Sequence, residues 1–182
     1  MIYALETIMR QKVVSLWHKS TDLQNCDFII LPGGFSYGDY LRSGAIARFS
    51  PIMEKVISFA NNGGFVFGIC NGFQILCEAG LLPGTLLHNI HQRFICKNVL
   101  IRSETDDTPI TSFIPPRTIL KMPIAHGQGR FHADPATLKS LKSNKQLLFR
   151  YCDERCKVTE VANVNGSDDG IAGICNTGRN VF

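Results

Sequence analysis

A cysteine between two glycines, in Gly68-Ile69-Cys70-Asn71-Gly72, is the strongest chemical signal in this sequence. An apolar, aromatic-rich run precedes it and an amphipathic segment follows, which predicts a strand that turns abruptly into a helix at Cys70. Glycines suit such a strained turn because a Cβ there would crowd the crossing of strand and helix. The helix N-terminus also favours a thiolate. The pattern therefore predicts that Cys70 is a catalytic nucleophile rather than an inert buried thiol.

A second glycine-rich loop, Pro32-Gly33-Gly34, follows a predicted apolar strand at 26–31. Ligands of open α/β sheets bind at the carboxyl ends of the strands, so this loop and Cys70 are expected to be neighbours. The backbone N–H groups of Gly34 and Asn71 would then form an oxyanion hole. A plain glycine-rich turn is the alternative, and the neighbouring cysteine turn makes it the weaker one.

A thiol nucleophile normally needs a histidine base that a carboxylate orients. Of the five histidines (His18, His88, His91, His126 and His132), His126 is the best placed, in a glycine-rich loop after a predicted strand. His126 either lines the substrate pocket or satisfies the backbone of its own loop. None of the five is closely followed by a suitable carboxylate, so the residues alone identify no base.

The composition of the 182 residues indicates a globular chain sized for one domain, at 45% hydrophobic and 19% charged residues. The formal charge of +4 is spread along the chain without a basic cluster, so no nucleic-acid partner is expected. The sequence contains neither a signal peptide nor an apolar run of about 18 residues, which predicts a cytoplasmic protein without a membrane span. Seven irregularly spaced cysteines then predict reduced thiols, and the Cys152–Cys156 spacing does not favour metal binding.

Strands and helices alternate along the chain, which indicates a mostly parallel α/β sheet. Helices are predicted at 2–10, 51–62, 71–79 and 135–142. Strands are predicted at 12–17, 26–31, 65–69, 146–151, 157–162 and 170–175, and half-exposed strands beside the main sheet at 93–102 and 117–124. A turn is expected at Asn165-Gly166, and a strand begins after Gly178.

The motif 68–74, which ends in Phe73-Gln74, resembles the elbow of class I (triad) glutamine amidotransferases. Pro32-Gly33-Gly34-Phe35-Ser36-Tyr37-Gly38-Asp39-Tyr40-Leu41-Arg42 and Gly44-Ala45-Ile46-Ala47-Arg48 resemble, more narrowly, the free-standing glutaminase subunits (PurQ) of phosphoribosylformylglycinamidine synthase. The segments 123–127, 165–167 and 171–176 continue the likeness over nearly the whole chain. The resemblance implies a flavodoxin-like, doubly wound α/β fold with added antiparallel strands, in one amidotransferase domain at 1–182.

The resemblance implies that glutamine is hydrolysed and that its ammonia passes to a synthetase, which uses ATP to convert formylglycinamide ribonucleotide to the amidine in purine synthesis. Cys70 would form a thioester, and Gly34 and Asn71 would supply the oxyanion N–H groups. The substrate-binding residues implied are Gly33, Gly72, Gln74 and His126. The expected partners are glutamine, the synthetase and a small accessory subunit. This subunit would bind no cofactor or metal, and ATP and magnesium would belong to the synthetase.

Both ends of the sequence depart from the family pattern. Family members begin with a strand and a Pro-Gly-Ser-Asn-Cys-like loop, whereas this sequence opens on a predicted helix. The His-Pro-Glu segment that supplies the triad base and its carboxylate would follow the strand that is starting at Phe182. We therefore expect an incomplete domain, with a nucleophile but without the triad His and Glu, and little turnover by residues 1–182 alone.

Three hypotheses compete. In the first, the native polypeptide is longer and the chain is the core of a working glutaminase subunit. In the second, it is an inactive remnant that serves at most as an interaction module, which predicts no glutamine hydrolysis even with the synthetase. In the third, it is a DJ-1-like hydrolase or redox protein, which predicts oxidation of Cys70 without a preference for glutamine. The extended 33–39 match argues against the third, and we favour the first for the ancestry and biochemical role of the chain.

Overall fold

The computed structural model of the chain describes residues 1–34 and 46–182. The eight strands in these residues are β1 (Phe28–Leu31), β2 (Phe65–Gly68), β3 (Thr85–Leu87), β4 (Ile95–Ser103), β5 (Ile119–His126), β6 (Arg130–His132), β7 (Leu147–Tyr151) and β8 (Ile171–Ile174). The α-helices are α1 (Pro51–Asn61), α2 (Asn71–Glu78) and α3 (Pro135–Ser143). A π-helical turn at Ala4–Ile8 and a 3-10 turn at Asp168–Gly170 complete the described elements.

Among residues 1–34 and 46–182, parallel pairing is confined to the part of the molecule that carries the cysteine motif. β1 and β2 are parallel, with Leu31 opposite Gly68. On the other edge of β2, Val66 forms a parallel bridge with Val181. The expected parallel sheet is thus represented by three adjacent segments, whose carboxyl ends share one edge.

Antiparallel pairing accounts for the other strands of the described residues. β5, β4, β7 and β8 form one four-stranded sheet in that order, and β3 pairs with β6. The half-exposed strands predicted near 93–102 and 117–124 are β4 and β5. They pair over eight residues, from Ile95 opposite His126 to Arg102 opposite Ile119. The α/β class with added antiparallel strands is confirmed.

The main core lies between β2 and the helices that cover it. Val56 of α1, Val66 of β2 and Leu76 of α2 are almost completely buried there, and Ile174 and Val181 join the same cluster. Asn180 connects residues 180–182 to this core, because its Nδ2 donates to the carbonyl oxygens of Ala60 at 2.7 Å and Gly64 at 2.8 Å. The core therefore holds the strand from which the Cys70 turn emerges.

Helix boundaries follow the expected signals closely. α1 begins after Ser50 with Pro51 at its first turn and ends before Gly63, which has a φ of +89°. Asp134 caps α3 by accepting hydrogen bonds from the N–H groups of Ala136 and Thr137. The helix predicted at 2–10 is reduced to the short π-helical turn.

Two predicted strands are wrong. Residues 12–17 and 157–162 have no strand structure, and Trp17 and Val161 are 65% and 91% exposed. Apolar alternation predicts a strand only where a neighbouring backbone can complete its hydrogen bonds and cover one face, and neither segment gains this among the described residues. The Asn165-Gly166 turn is present, with Gly166 at a φ of +79°, but it joins no pair of strands.

Candidate functional site

The chain makes a sharp turn at Cys70, between the end of β2 and the first residue of α2. Cys70 has a φ of +55° and a ψ of −112°, a backbone conformation that costs a non-glycine residue free energy. Such strain persists only when the surrounding structure imposes it. The predicted strand–cysteine–helix turn is therefore present with the expected backbone strain.

The two glycines that flank Cys70 are needed for close packing. A Cβ on Gly68 would lie 2.6 Å from Cδ1 of Leu76 and 2.7 Å from the carbonyl oxygen of Gly72. A Cβ on Gly72 would lie only 1.9 Å from the carbonyl oxygen of Leu31 in β1. The helix can cross the two strands at this distance only without these side chains. By allowing this close crossing, both glycines determine where Cys70 lies between β2 and α2.

The loop after β1 lies against the same turn. A Cβ on Gly33 would be 3.0 Å from Cβ and 3.8 Å from Sγ of Cys70, so the loop backbone passes directly beside the sulfur. The side-chain amide of Asn71 donates to the carbonyl oxygen of Gly34, which ties the loop to the first turn of α2. The rest of the motif that follows, 35–45, lies outside the described residues.

A pocket forms where this turn faces the end of β5. Its wall consists of seven residues: Gly34, Cys70, Asn71, Ala125, His126, Gly127 and Gln128. The structure thus brings together Cys70, both predicted oxyanion residues and His126. As the first residue of α2, Asn71 has an N–H group without an intrahelical acceptor. A more open depression beside α3, lined by Lys142 and Asp168 among others, contains no cysteine.

Gln74 lies behind the pocket wall. Its side chain is 2% exposed, and its Nε2 donates to Oε1 of Gln128 at 3.1 Å. Gln128 is the one of the two that lines the pocket. The substrate-binding roles of Gly33, Gly72, Gln74 and His126 remain predictions. Gly72 and Gln74 are not among the residues that line the pocket, and they pack behind it.

His126 is held by a side chain that sequence reasoning missed. Nδ1 of His126 lies 3.0 Å from Oδ1 of Asn89, which is 1% exposed. Burial lowers the pKa of His126, so the imidazole is neutral at neutral pH. Its Nε2 is buried and has no hydrogen-bond partner among the described residues. Nothing in the sequence around Asn89 distinguishes it from a surface asparagine, because its partners come from 93, 126 and 129.

Tyr151 is a second buried group near the nucleophile. Burial, and to a smaller extent the charge of a Cys70 thiolate, raise the pKa of Tyr151 to about 12 against an opposing hydrogen bond from Asn165. Nδ2 of Asn165 donates to the Tyr151 hydroxyl at 3.1 Å. Tyr151 therefore stays uncharged at neutral pH and places no competing negative charge near the sulfur.

The remaining cysteines show no comparable setting. None of the seven cysteines forms a disulfide. Burial raises the pKa of Cys26, Cys152 and Cys175, which favours the inert thiol form. Among residues 1–34 and 46–182, no group of three or more His, Cys, Asp or Glu side chains is arranged to hold a metal ion. In the same residues, no helix is long and apolar enough to cross a membrane.

Comparison with known proteins places this chain among glutamine amidotransferases. Residues 4–181 match the model of the CobB/CobQ-like glutamine amidotransferase domain. The chain is 54% identical to the phosphoribosylformylglycinamidine synthase subunit PurQ of Koribacter versatilis, over 99% of this chain and 78% of that protein. Identity to PurQ of Moorella thermoacetica is 52%, over 99% and 76% of the two chains. A chain in the structure of PurLQS from Thermotoga maritima matches with a TM-score of 0.74 at 42% identity, over 88% of this chain and 68% of that one.

Proposed function

Because the chain belongs to the glutamine amidotransferase family, among the PurQ subunits of phosphoribosylformylglycinamidine synthase, we propose that it hydrolyses glutamine to supply ammonia for the synthesis of formylglycinamidine ribonucleotide. The observation that carries this proposal is the strained Cys70 turn, which opens into a pocket shared with Gly34 and Asn71. This arrangement fits acyl transfer through a thioester. The comparisons do not favour the inactive-remnant reading, and they favour the amidotransferase family over a DJ-1-like protein.

The residues of the pocket suggest the order of events. The Cys70 sulfur attacks the carboxamide carbon of glutamine, and the carbonyl oxygen gains negative charge. The N–H groups of Gly34 and Asn71 stabilise that charge. The C–N bond then breaks, ammonia leaves with the nitrogen's third proton supplied by a general acid, and a γ-glutamyl thioester remains on Cys70. Water hydrolyses the thioester, and glutamate and the thiol are released.

The position of residues 180–182 is compatible with the base that the family uses. The N–H of Gly68 donates to the carbonyl oxygen of Phe182 at 2.8 Å, and the N–H of Phe182 donates to the carbonyl oxygen of Val66 at 2.9 Å. This segment runs parallel to β2 and reaches the edge where Cys70 lies. A His-Pro-Glu segment that followed such a strand, as the family resemblance implies, would emerge beside the nucleophile.

The proposed partners are a synthetase subunit and a small accessory subunit, which agrees with the match to a chain of PurLQS. ATP and magnesium would bind the synthetase, and this chain would supply only ammonia. Seven cysteines without a disulfide suit a reducing compartment, and we place the reaction in the cytoplasm.

A comparison of nitrogen donors tests the proposal. The native polypeptide that contains these residues is combined with the synthetase and accessory subunits, formylglycinamide ribonucleotide, ATP and magnesium, and amidine formation is measured with glutamine or with ammonium chloride. We expect glutamine to support synthesis only when this chain is present, whereas ammonium supports it with or without the chain. Equal glutamine-dependent rates without the chain would contradict the proposal.

A further inference from the structure

One wall of the Cys70 pocket is a loop that its own sequence restrains only weakly. On this side the pocket is lined by residues 125–128, which span the end of β5 and the turn that leads to β6. Residues 126–129 are termed the wall loop here. Two of its four residues, Gly127 and Gly129, have the widest backbone freedom of any residue type because they lack a Cβ. The position of this wall therefore depends on contacts from other parts of the chain.

Two buried asparagines hold the backbone of the wall loop. Asn89 donates its backbone N–H to the carbonyl oxygen of Gly127 at 2.9 Å, and its Nδ2 to that of His126 at 2.9 Å. Oδ1 of Asn89 accepts the N–H of Gly129 at 3.2 Å. Nδ2 of Asn165 donates to the carbonyl oxygen of Gly129 at 2.7 Å. The loop is thus fixed through its main chain, by residues from two other segments.

The side-chain amide of Asn165 has an orientation that its partners determine. Its Nδ2 donates to the Gly129 carbonyl oxygen and, at 3.1 Å, to the hydroxyl of Tyr151. Its Oδ1 accepts the N–H of Ser167 at 3.1 Å and the Ser167 hydroxyl at 2.8 Å. A flipped amide would set its oxygen against the Gly129 carbonyl and its nitrogen against the Ser167 N–H. Asn165 is 0% exposed, and every polar atom of its side chain has a partner.

The backbone of Asn165 is tied to the segment that carries Asn89. Its carbonyl oxygen accepts the N–H of Ile90 at 3.0 Å. The next residue, Gly166, lies close against Ile90, since a Cβ at Gly166 would be 2.7 Å from Cβ of Ile90. Residues 89–90, 126–129 and 165–167 therefore form one hydrogen-bonded unit, in which Asn165 contacts both of the other segments.

The wall loop is also connected to the helix that follows the nucleophile. Oε1 of Gln128 accepts a hydrogen bond from Nε2 of Gln74 in α2 at 3.1 Å. This helix begins at Asn71, directly after Cys70. The distance between the wall loop and Cys70 is therefore set by two connections, one through Gln74 and one through Asn165.

We propose that Asn165 is a positioning residue for glutamine hydrolysis, whose amide holds the wall loop at the distance from Cys70 at which the pocket fits a glutamine side chain. The inference rests on the proposed function. Asn165 is not among the residues that line the pocket, so it acts through the backbone of Gly129. Without its donor the glycine-rich wall relaxes and fits the substrate less closely. The wall borders the ground state and the transition state alike, so the loss falls on KM rather than on kcat.

Asn165→Ser is the test variant, and Tyr151→Phe is its matched control. Serine keeps a hydroxyl that can contact Ser167, but it is too short to reach the Gly129 carbonyl oxygen. Phenylalanine removes the other acceptor of the same amide, is uncharged like the tyrosine it replaces, and leaves the bond to Gly129 in place. Both variants lose buried hydrogen bonds of one network, but only Asn165→Ser frees the wall loop.

Glutamine-dependent amidine synthesis is measured with the native polypeptide in complex with the synthetase and accessory subunits. We expect KM for glutamine to rise about 10-fold in Asn165→Ser with kcat within about threefold of the wild type. In Tyr151→Phe both constants should stay within about twofold. Ammonium-dependent synthesis should be unchanged in both variants, because free ammonium bypasses the pocket.

An unchanged KM in Asn165→Ser, or an equal rise in both variants, would overturn the inference and leave the proposed function intact. A wild-type complex without glutamine-dependent synthesis would overturn both. Amide hydrogen exchange of the wild-type protein adds a measurement that needs no variant. The N–H of Gly129 should exchange at least about 100-fold more slowly than that of an unstructured glycine, and exchange at the unstructured rate would also overturn the inference.

Discussion

Cys70→Ala is expected to abolish glutamine-dependent amidine synthesis, with a loss of more than about 10³-fold, while ammonium-dependent synthesis by the complex is unchanged. The thiol forms the covalent bond on which both halves of the reaction depend, and removal of a nucleophile from a preorganised hydrolytic site costs several orders of magnitude. The measurement is the rate of amidine formation with each nitrogen donor.

Cys77→Ala is the matched control for this substitution. Cys77 lies on the same helix, α2, but its side chain is buried in the main core rather than in the pocket. We expect its glutamine-dependent rate to stay within about twofold of the wild type, because packing is altered only slightly. Equal losses in both variants would indicate that the helix, not the Cys70 thiol, carries the effect.

Gly72→Ala is expected to lower the free energy of unfolding by about 3 kcal/mol or more. The added Cβ would lie 1.9 Å from the carbonyl oxygen of Leu31, and this oxygen cannot retreat freely because it accepts the N–H of Ile69 at 3.0 Å. Relief of the clash requires that α2 moves away from β1, which also displaces Cys70. Urea denaturation of the purified chain measures the effect.

Gly127→Ala is the control for Gly72→Ala, and it is used for stability alone. A Cβ at Gly127 would have only Cδ2 of Phe94 within 4 Å, at 3.9 Å. Its unfolding free energy should therefore change by no more than about 0.5 kcal/mol. If both glycine variants unfolded at the same urea concentration, the close crossing at Gly72 would not be the constraint that the structure indicates.

The sequence predicted the Cys70 turn because each requirement of that turn is local. The apolar run 65–67, the two glycines and the amphipathic helix are contiguous, and each restricts the backbone within a few residues. The same holds for α1 and α3, whose boundaries follow Ser50-Pro51 and Asp134-Pro135. Local rules were sufficient for these elements.

Long-range pairing limited the prediction elsewhere. Residues 12–17 have the composition of a strand, but a strand requires a partner that the segment itself does not specify. Asn89 was missed for a similar reason, since its four hydrogen-bonding contacts come from residues 4 to 40 positions away. The part of the site that lies between β3 and β5 emerges only when these segments are folded together.

The covalent role of Cys70 is tested most directly by detection of the acyl intermediate on its sulfur. The complex is quenched with acid during steady-state turnover of glutamine, and the peptide that contains Cys70 is analysed by mass spectrometry. We predict a γ-glutamyl group on Cys70 that is absent without glutamine and absent in Cys70→Ala. Release of glutamate and ammonia with no acyl group on Cys70 at any quench time, although a synthetic thioester survives the same quench, would contradict it.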